Sequence, residues 1–167
     1  SAASDVYKRQ PVAVGPVLQR VERMLGMVAA EKGVAISGAV SEDAVALATD
    51  DDVHQILYNL MENAIKYSAP ESGFVRVEAS VQDGQVVITV TDNGIGIPDE
   101  DLPRIFDRFY RVDKMRSREV GGTGLGLSIV KDTIEGRGGA ISAGHGPDGV
   151  GTTFTVRLPL AQREEEA

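Results

Sequence analysis

The run Val120 to Val130 (Val-Gly-Gly-Thr-Gly-Leu-Gly-Leu-Ser-Ile-Val) constrains this chain most. Four glycines in six residues open directly into an apolar helical pattern, Leu127, Ile129, Val130 and Ile134. Glycine lets backbone approach a ligand closely, and a helix start offers unpaired N–H donors with a partial positive charge. Together these are the parts of a phosphate cradle. The run lacks the Gly-Lys-Ser/Thr ending of the Walker loop, and its spacing is not Gly-x-Gly-x-x-Gly. Taken alone, it reads equally as a loop that breaks structure before a helix.

Two further segments add chemistry. Residues 85–91, Gln-Val-Val-Ile-Thr-Val-Thr, have a strand-like pattern and end in Asp92-Asn93-Gly94-Ile95-Gly96-Ile97-Pro98. Asn-Gly marks a turn. A carboxylate is acceptor-only, so Asp92 at the strand end can receive an exocyclic amine such as that of adenine. Gly94 and Gly96 would let a planar base lie against the backbone. The third segment, Asp50 to Tyr67, is an amphipathic helix. Val53, Ile56, Leu57, Leu60, Met61, Ala64 and Ile65 make one apolar face, and Gln55, Asn59, Glu62 and Lys66 lie together on the other. Asn63 sits on the border. Asparagine is a poor helix former, so Asn59 and Asn63 invite a reason. Carboxamide oxygens suit a hard cation such as Mg²⁺, which is held with phosphates and waters rather than in a protein cage. Two solvated asparagines are the plainer alternative.

In order and spacing these segments resemble the boxes of sensor histidine kinases. Asn59 to Ser68 resembles the N box, Asp92 to Ile97 the G1 box, Ile105 to Asp113 the F box and Gly122 to Ser128 the G2 box. Gly151-Thr152-Thr153-Phe154 is similar to the final strand motif. The resemblance covers roughly residues 12–160 and implies the Bergerat, or GHKL, fold. It also implies roles. Asn63 would coordinate Mg²⁺ bridging the phosphates of ATP, with Asn59 beside it. Lys66 would contact phosphate and Tyr67 would line the nucleotide site. Asp92 would bind the adenine amine, with Gly94 and Gly96 shaping its pocket. Gly122, Thr123, Gly124, Leu125, Gly126 and Leu127 would form the phosphate-binding backbone. Thr153 would support adenine recognition, and Arg108 and Arg111 would reach the terminal phosphate.

The same resemblance implies that ATP or ADP binds here. The γ-phosphoryl would go to a histidine of an N-terminal dimerisation and phosphoacceptor domain, then to an aspartate of a response regulator. That acceptor is expected outside this chain, because His54 and His145 are its only histidines and neither has an acceptor-helix context. Autophosphorylation by the chain alone is therefore not expected. A cytoplasmic domain is implied, without membrane contact of its own, in a protein anchored in the inner membrane. Hydrolysing ATPases of the same fold are the chief rival. They place a general-base glutamate four residues before the metal asparagine, where this chain has Asn59, and an amide cannot take a proton from water. A serine kinase of the anti-sigma type is another; Phe106-Asp107-Arg108-Phe109 favours the histidine kinase. A degenerate module would lack box residues, and none is missing.

Composition bounds these readings. A chain of 167 residues suits one core. No run approaches the length of a membrane span. Cysteine is absent, which excludes disulfides and thiolate metal sites and fits a reducing compartment. A net charge of −8 argues against general nucleic-acid binding. Six basic residues between Arg104 and Arg118, against Asp107 and Asp113, give that segment +4 and leave −12 elsewhere. It reads as a basic lid over polyphosphate, residues 98–121, whose apolar anchors Ile105, Phe106, Phe109 and Tyr110 dock on the core.

Residues 1–10 read as a poorly ordered N-terminal remnant, 11–160 as the catalytic ATP-binding domain and 161–167 as a charged tail. The patterns predict helices at about 15–32, 51–67 and 124–136, and a short one near 100–106. Strands are predicted near 34–38 and 45–49, and at 74–80, 85–92, 139–144 and 152–159. In the first helix Val17, Leu18, Val21, Met24, Leu25 and Val28 read as core. The expected class is α+β, a two-layer α/β sandwich with helices on one face of a mixed, mostly antiparallel sheet. Gly144-His145-Gly146-Pro147-Asp148-Gly149 satisfies Gly-x-Gly-x-x-Gly literally, but it lies between two strands and reads as a hairpin loop.

Overall fold

The computed structural model describes residues 9–110 and 126–161. Its elements are β1 (Gln10–Ala13), α1 (Val14–Lys32), β2 (Val34–Val40), β3 (Val45–Ala48), α2 (Asp50–Tyr67), β4 (Gly73–Gln82), β5 (Gln85–Asp92), α3 (Gly126–Gly136), β6 (Ala140–His145) and β7 (Thr152–Pro159). Short 3₁₀ turns occupy Leu102–Arg104 and Pro147–Gly149. Five strands form one sheet in the order β2-β4-β5-β7-β6, and β1 pairs with β3 in a separate ribbon. Only the β2–β4 pairing in the large sheet is parallel. This is the two-layer mixed sandwich expected from the sequence.

Local chemistry sets the elements. Thr49 caps α2 reciprocally: its hydroxyl accepts the Asp52 N–H at 3.1 Å, and the Asp52 carboxylate accepts the Thr49 N–H at 3.3 Å. Asp50, Asp51 and Asp52 in the first turn complement the helix dipole. Every residue of the apolar face read in α2 is buried. Asp83-Gly84, both at positive φ, closes the β4–β5 hairpin. Along β5 and β7 the even-numbered residues Val86, Ile88, Val90, Phe154, Val156 and Leu158 face the helices and are buried in the core. Two ion pairs tie the helical layer together. Arg20 of α1 reaches Asp50 at 2.7 Å, and Arg137, just past α3, reaches Asp52 at 2.5 Å. His54 accepts from Arg20 and stacks on Tyr58. The Gly144–Gly149 run falls at the β6–β7 hairpin, as read, although Gly144 and His145 still pair with Thr153 and Thr152 at the end of β6 and the loop itself starts at Gly146.

Two sequence expectations need correction. Met24 and Val28 are 54% and 53% exposed rather than core: Met24 lies outside the arc of Val14, Val17, Leu18, Val21, Leu25 and Ala29 that α1 buries, and Val28 lies within that arc near the end of the helix. Gln10, assigned to the N-terminal remnant, pairs with Ala48 in β1, a strand that buries Val12. Residues 1–8 and 162–167 lie outside the described residues, as does most of the glycine run.

The packing predicts unequal costs. Leu60→Ala, at the fully buried centre of α2, should destabilise by about 2–5 kcal/mol. Met24→Ser should change stability by less than about 0.5 kcal/mol. Chemical denaturation of the two variants checks the contrast.

Candidate functional site

Asp92 ends β5 at the sheet's centre and is 2% exposed. It shares the helix-facing side with Val90 and Ile88, by strand alternation. Its Oδ1 accepts the Gly94 N–H at 2.8 Å, and the Thr152 N–H also donates to its carboxylate. Burial raises its pKa above the ordinary carboxylate value; the Gly94 and Thr152 N–H groups and the Lys32 ammonium oppose that rise.

The turn after Asp92 is seated by close backbone contacts. The Ile95 N–H donates to the Tyr67 carbonyl at 3.1 Å. A Cβ on Gly94 would lie 1.5 Å from that carbonyl oxygen, so only glycine fits. Gly96 has φ +72° and faces the Gly151 carbonyl. Gly151, at φ +74°, lies so close to Asp92 that a Cβ would meet its carbonyl oxygen at 2.0 Å. Asn93 pins the turn to the start of β4: its Oδ1 accepts the Phe74 N–H at 2.9 Å, and its Nδ2 donates to the Ser72 carbonyl at 3.0 Å.

Helix α2 carries the polar row. Asn59 Nδ2 donates to the Gln55 carbonyl at 2.8 Å. Its Oδ1 faces the start of α3, 4.0 Å from where a Cβ on Gly126 would stand. The Thr133 hydroxyl donates to Gln55 Oε1 at 3.3 Å, holding α3 against the same row. Asn63 is half-buried one turn beyond Asn59, and Tyr67 is half-buried one turn further. Lys66 Nζ lies 3.7 Å from Glu62 Oε1. Leu127 is partly buried against the core. Among the described residues no cluster of His, Cys, Asp or Glu could cage a metal. On the polar row facing α3, Asn59 and Gln55 present carboxamide oxygens.

Thr153 is corrected. Strand alternation puts it on the outer face of the sheet, where its hydroxyl lies 3.2 Å from that of Thr91. Thr152, buried on the side of Asp92, takes the position expected for Thr153. The basic segment is corrected in part. Ile105 is buried and Phe106 packs edge-on against Phe154, but Phe109 is 67% exposed with φ +64°. Tyr110 is held by hydrogen bonding to Asp101 and lies under Arg104. Arg108 is exposed on the same segment. Arg111, Gly122, Thr123, Gly124 and Leu125 lie outside the described residues, with residues 111–121 of the lid. Sequence reasoning missed Asn93, Gly151 and Thr152 as parts of this site. The period of two along 152–159 was the available signal for Thr152.

Residues 48–162 match the model of the histidine kinase-, DNA gyrase B-, and HSP90-like ATPases. The chain belongs to this ATPase family. The ATPase domain is 47% identical over 118 residues to the sensor histidine kinase WalK of Bacillus subtilis, covering 70% of this chain and 19% of that protein. It is 32% identical over 154 residues to the histidine-protein kinase BaeS of Escherichia coli, covering 92% of this chain and 32% of that protein. The chain thus spans less than a third of the length of these relatives. The mycobacterial sensor histidine kinase MprB superposes with a TM-score of 0.80 at 27% identity, covering 90% of this chain and 97% of that one. Full-length ShkA, solved in complex with AMPPNP, gives 0.79 at 34% identity over 94% of this chain and 32% of that one. Among the described residues no helix of the ATPase domain is long and apolar enough to cross a membrane.

The raised pKa of Asp92 has a consequence for stability. The folded value lies above the unfolded one of 3.8, so its contribution is full below that value and is lost as pH rises through the folded pKa. Asp92→Asn cannot ionise. Measured by urea denaturation across that range, the variant should gain stability relative to wild type as pH rises, in the absence of nucleotide.

Proposed function

We propose that this domain binds Mg²⁺-ATP and supplies its γ-phosphoryl group to a histidine on a phosphoacceptor domain of the same signalling protein, from which it passes to an aspartate of a response regulator. The observation that carries the reading is Asp92. It is a buried carboxylate, held by two backbone N–H groups at the end of a central strand, beside a turn that only glycine can build. An ionised acceptor so placed suits the exocyclic amine of adenine and disfavours the carbonyl of guanine. Gly94 and Gly96 shape the wall of the base pocket, Tyr67 lines it, and Thr152 rather than Thr153 supports Asp92.

At the other end of the nucleotide, Asn63 would ligate Mg²⁺ with Asn59 beside it, and Lys66 would exchange Glu62 for phosphate. The bound ion would neutralise phosphate charge. Gly122, Gly124, Gly126 and Leu127 are assigned the phosphates by their motif, and Arg108 and Arg111 the terminal one. Phosphoryl transfer asks chiefly for positioning and charge neutralisation, and these residues offer both. Transfer is favoured over hydrolysis because Asn59 occupies the place of a general base and its Nδ2 is committed to the Gln55 carbonyl.

Two titrations test the reading. Asp92→Ala should weaken ADP binding by about 1–3 kcal/mol, with little effect on inorganic triphosphate. Calorimetry with ATP, GTP and triphosphate measures this, and equal ATP affinity in variant and wild type overturns the adenine assignment. Asn63→Ala should weaken Mg²⁺-ATP about tenfold and leave Mg²⁺-free ADP within about twofold. Titrations with and without the metal check it.

A further inference from the structure

The seat of the Gly94 turn depends on a residue outside every sequence box. Lys32 is the last residue of α1, yet its side chain serves α2. Its Nζ donates to the Ile65 carbonyl at 2.7 Å and also to the Lys66 carbonyl, two of the unpaired acceptors at the end of α2. The Ser68 hydroxyl donates to the same Ile65 carbonyl at 2.9 Å. The backbone of Lys32 is fixed as well. Its carbonyl accepts the Glu71 N–H at 3.2 Å, and Gly33 beyond it packs against the Glu71 backbone. The next carbonyl of α2, that of Tyr67, receives Ile95 and sets the glycine turn beneath Asp92.

We propose that Lys32 is a positioning residue for the adenine end of the site: its ammonium clamps the last turn of α2 and thereby fixes the carbonyl on which the Gly94 turn rests. This rests on the reading of Asp92 as the adenine acceptor. Lys32 also acts through space, since its positive charge opposes the effect of burial on Asp92. The reciprocal influence appears at Lys32, where burial lowers the pKa and the charge of Asp92 raises it. Around this pair, α2 presents carbonyls and the Lys66–Glu62 ion pair. The loop before β4 brings Glu71, and β7 and the glycine turn offer N–H groups.

The test uses Lys32→Met, Lys32→Gln and Lys32→Arg, with ADP affinity measured by calorimetry from about pH 5 to 8. Lys32→Met should bind ADP about tenfold more weakly at neutral pH, and Lys32→Arg should restore most of the loss. In Lys32→Met the acid limb of ADP binding should move to higher pH, because Asp92 has lost the charge that favours its ionised form. A packing role alone would lower affinity equally at every pH and would not be rescued by arginine. Lys32→Gln keeps an N–H donor without the charge and carries the comparison if the methionine variant does not fold. Its acid limb should shift in the same direction. Lys32→Met or Lys32→Gln binding within twofold of wild type, with an unmoved pH profile, overturns the inference. Failure of wild type to bind ADP at any pH overturns the adenine reading instead.

Discussion

The contact between the Gly94 turn and the end of α2 governs the rest of the site. It is a steric constraint first: the Tyr67 carbonyl occupies the space of any side chain at position 94. Once the chain meets it, the Ile95 N–H is paired, Asp92 is turned toward the helical layer, and Gly151 can close over the Asp92 backbone. The helix bearing Asn59, Asn63 and Lys66 and the strand bearing Asp92 come from different layers. This junction sets their separation. On the proposed reading, the two ends of one nucleotide are matched across this joint, and small misplacements of reacting groups are costly.

The carboxylate at that joint is held against its own preference. Burial opposes its charge, and the compensation comes from two backbone N–H groups and a distant ammonium. A protein selected for stability alone would place an amide or an apolar residue there. A costly buried acceptor is the kind of local conflict that a binding site tolerates and a scaffold does not.

Much of this was legible in the chain. The periodicity of α2 assigned all seven of its apolar positions to the core, and the turn chemistry of Asn93-Gly94 ended β5. The losses have physical causes. Along α1, Met24 lies just outside the buried arc that runs from Val17 to Ala29, while Val28 lies within that arc but near the helix's end, where burial continues only through Leu25 and Ala29; a helical period does not say how far along the axis the covering layer extends. Two threonines in succession at 152 and 153 differ only in the face of the sheet they occupy, and that depends on register with β5. Strand β1 is four residues long and contains Pro11, too short for a period to declare itself. Lys32 was invisible for another reason. Its partners are main-chain carbonyls 33 and 34 residues away, which no local pattern encodes.

The ribbon strand β3 meets both ends of the described domain. β1 runs along it from Gln10 to Ala13, while the Ala161 N–H donates to the Val45 carbonyl and Leu160 bridges to Ala46. Asp92 and Thr152 stand at the opposite end of the central strands, roughly 23 Å away at strand spacing. Residues 9 and 161 therefore leave the described domain at one pole, with Asp92 at the other, so a rigid-body rotation about that pole carries Asp92 along an arc of roughly 23 Å radius.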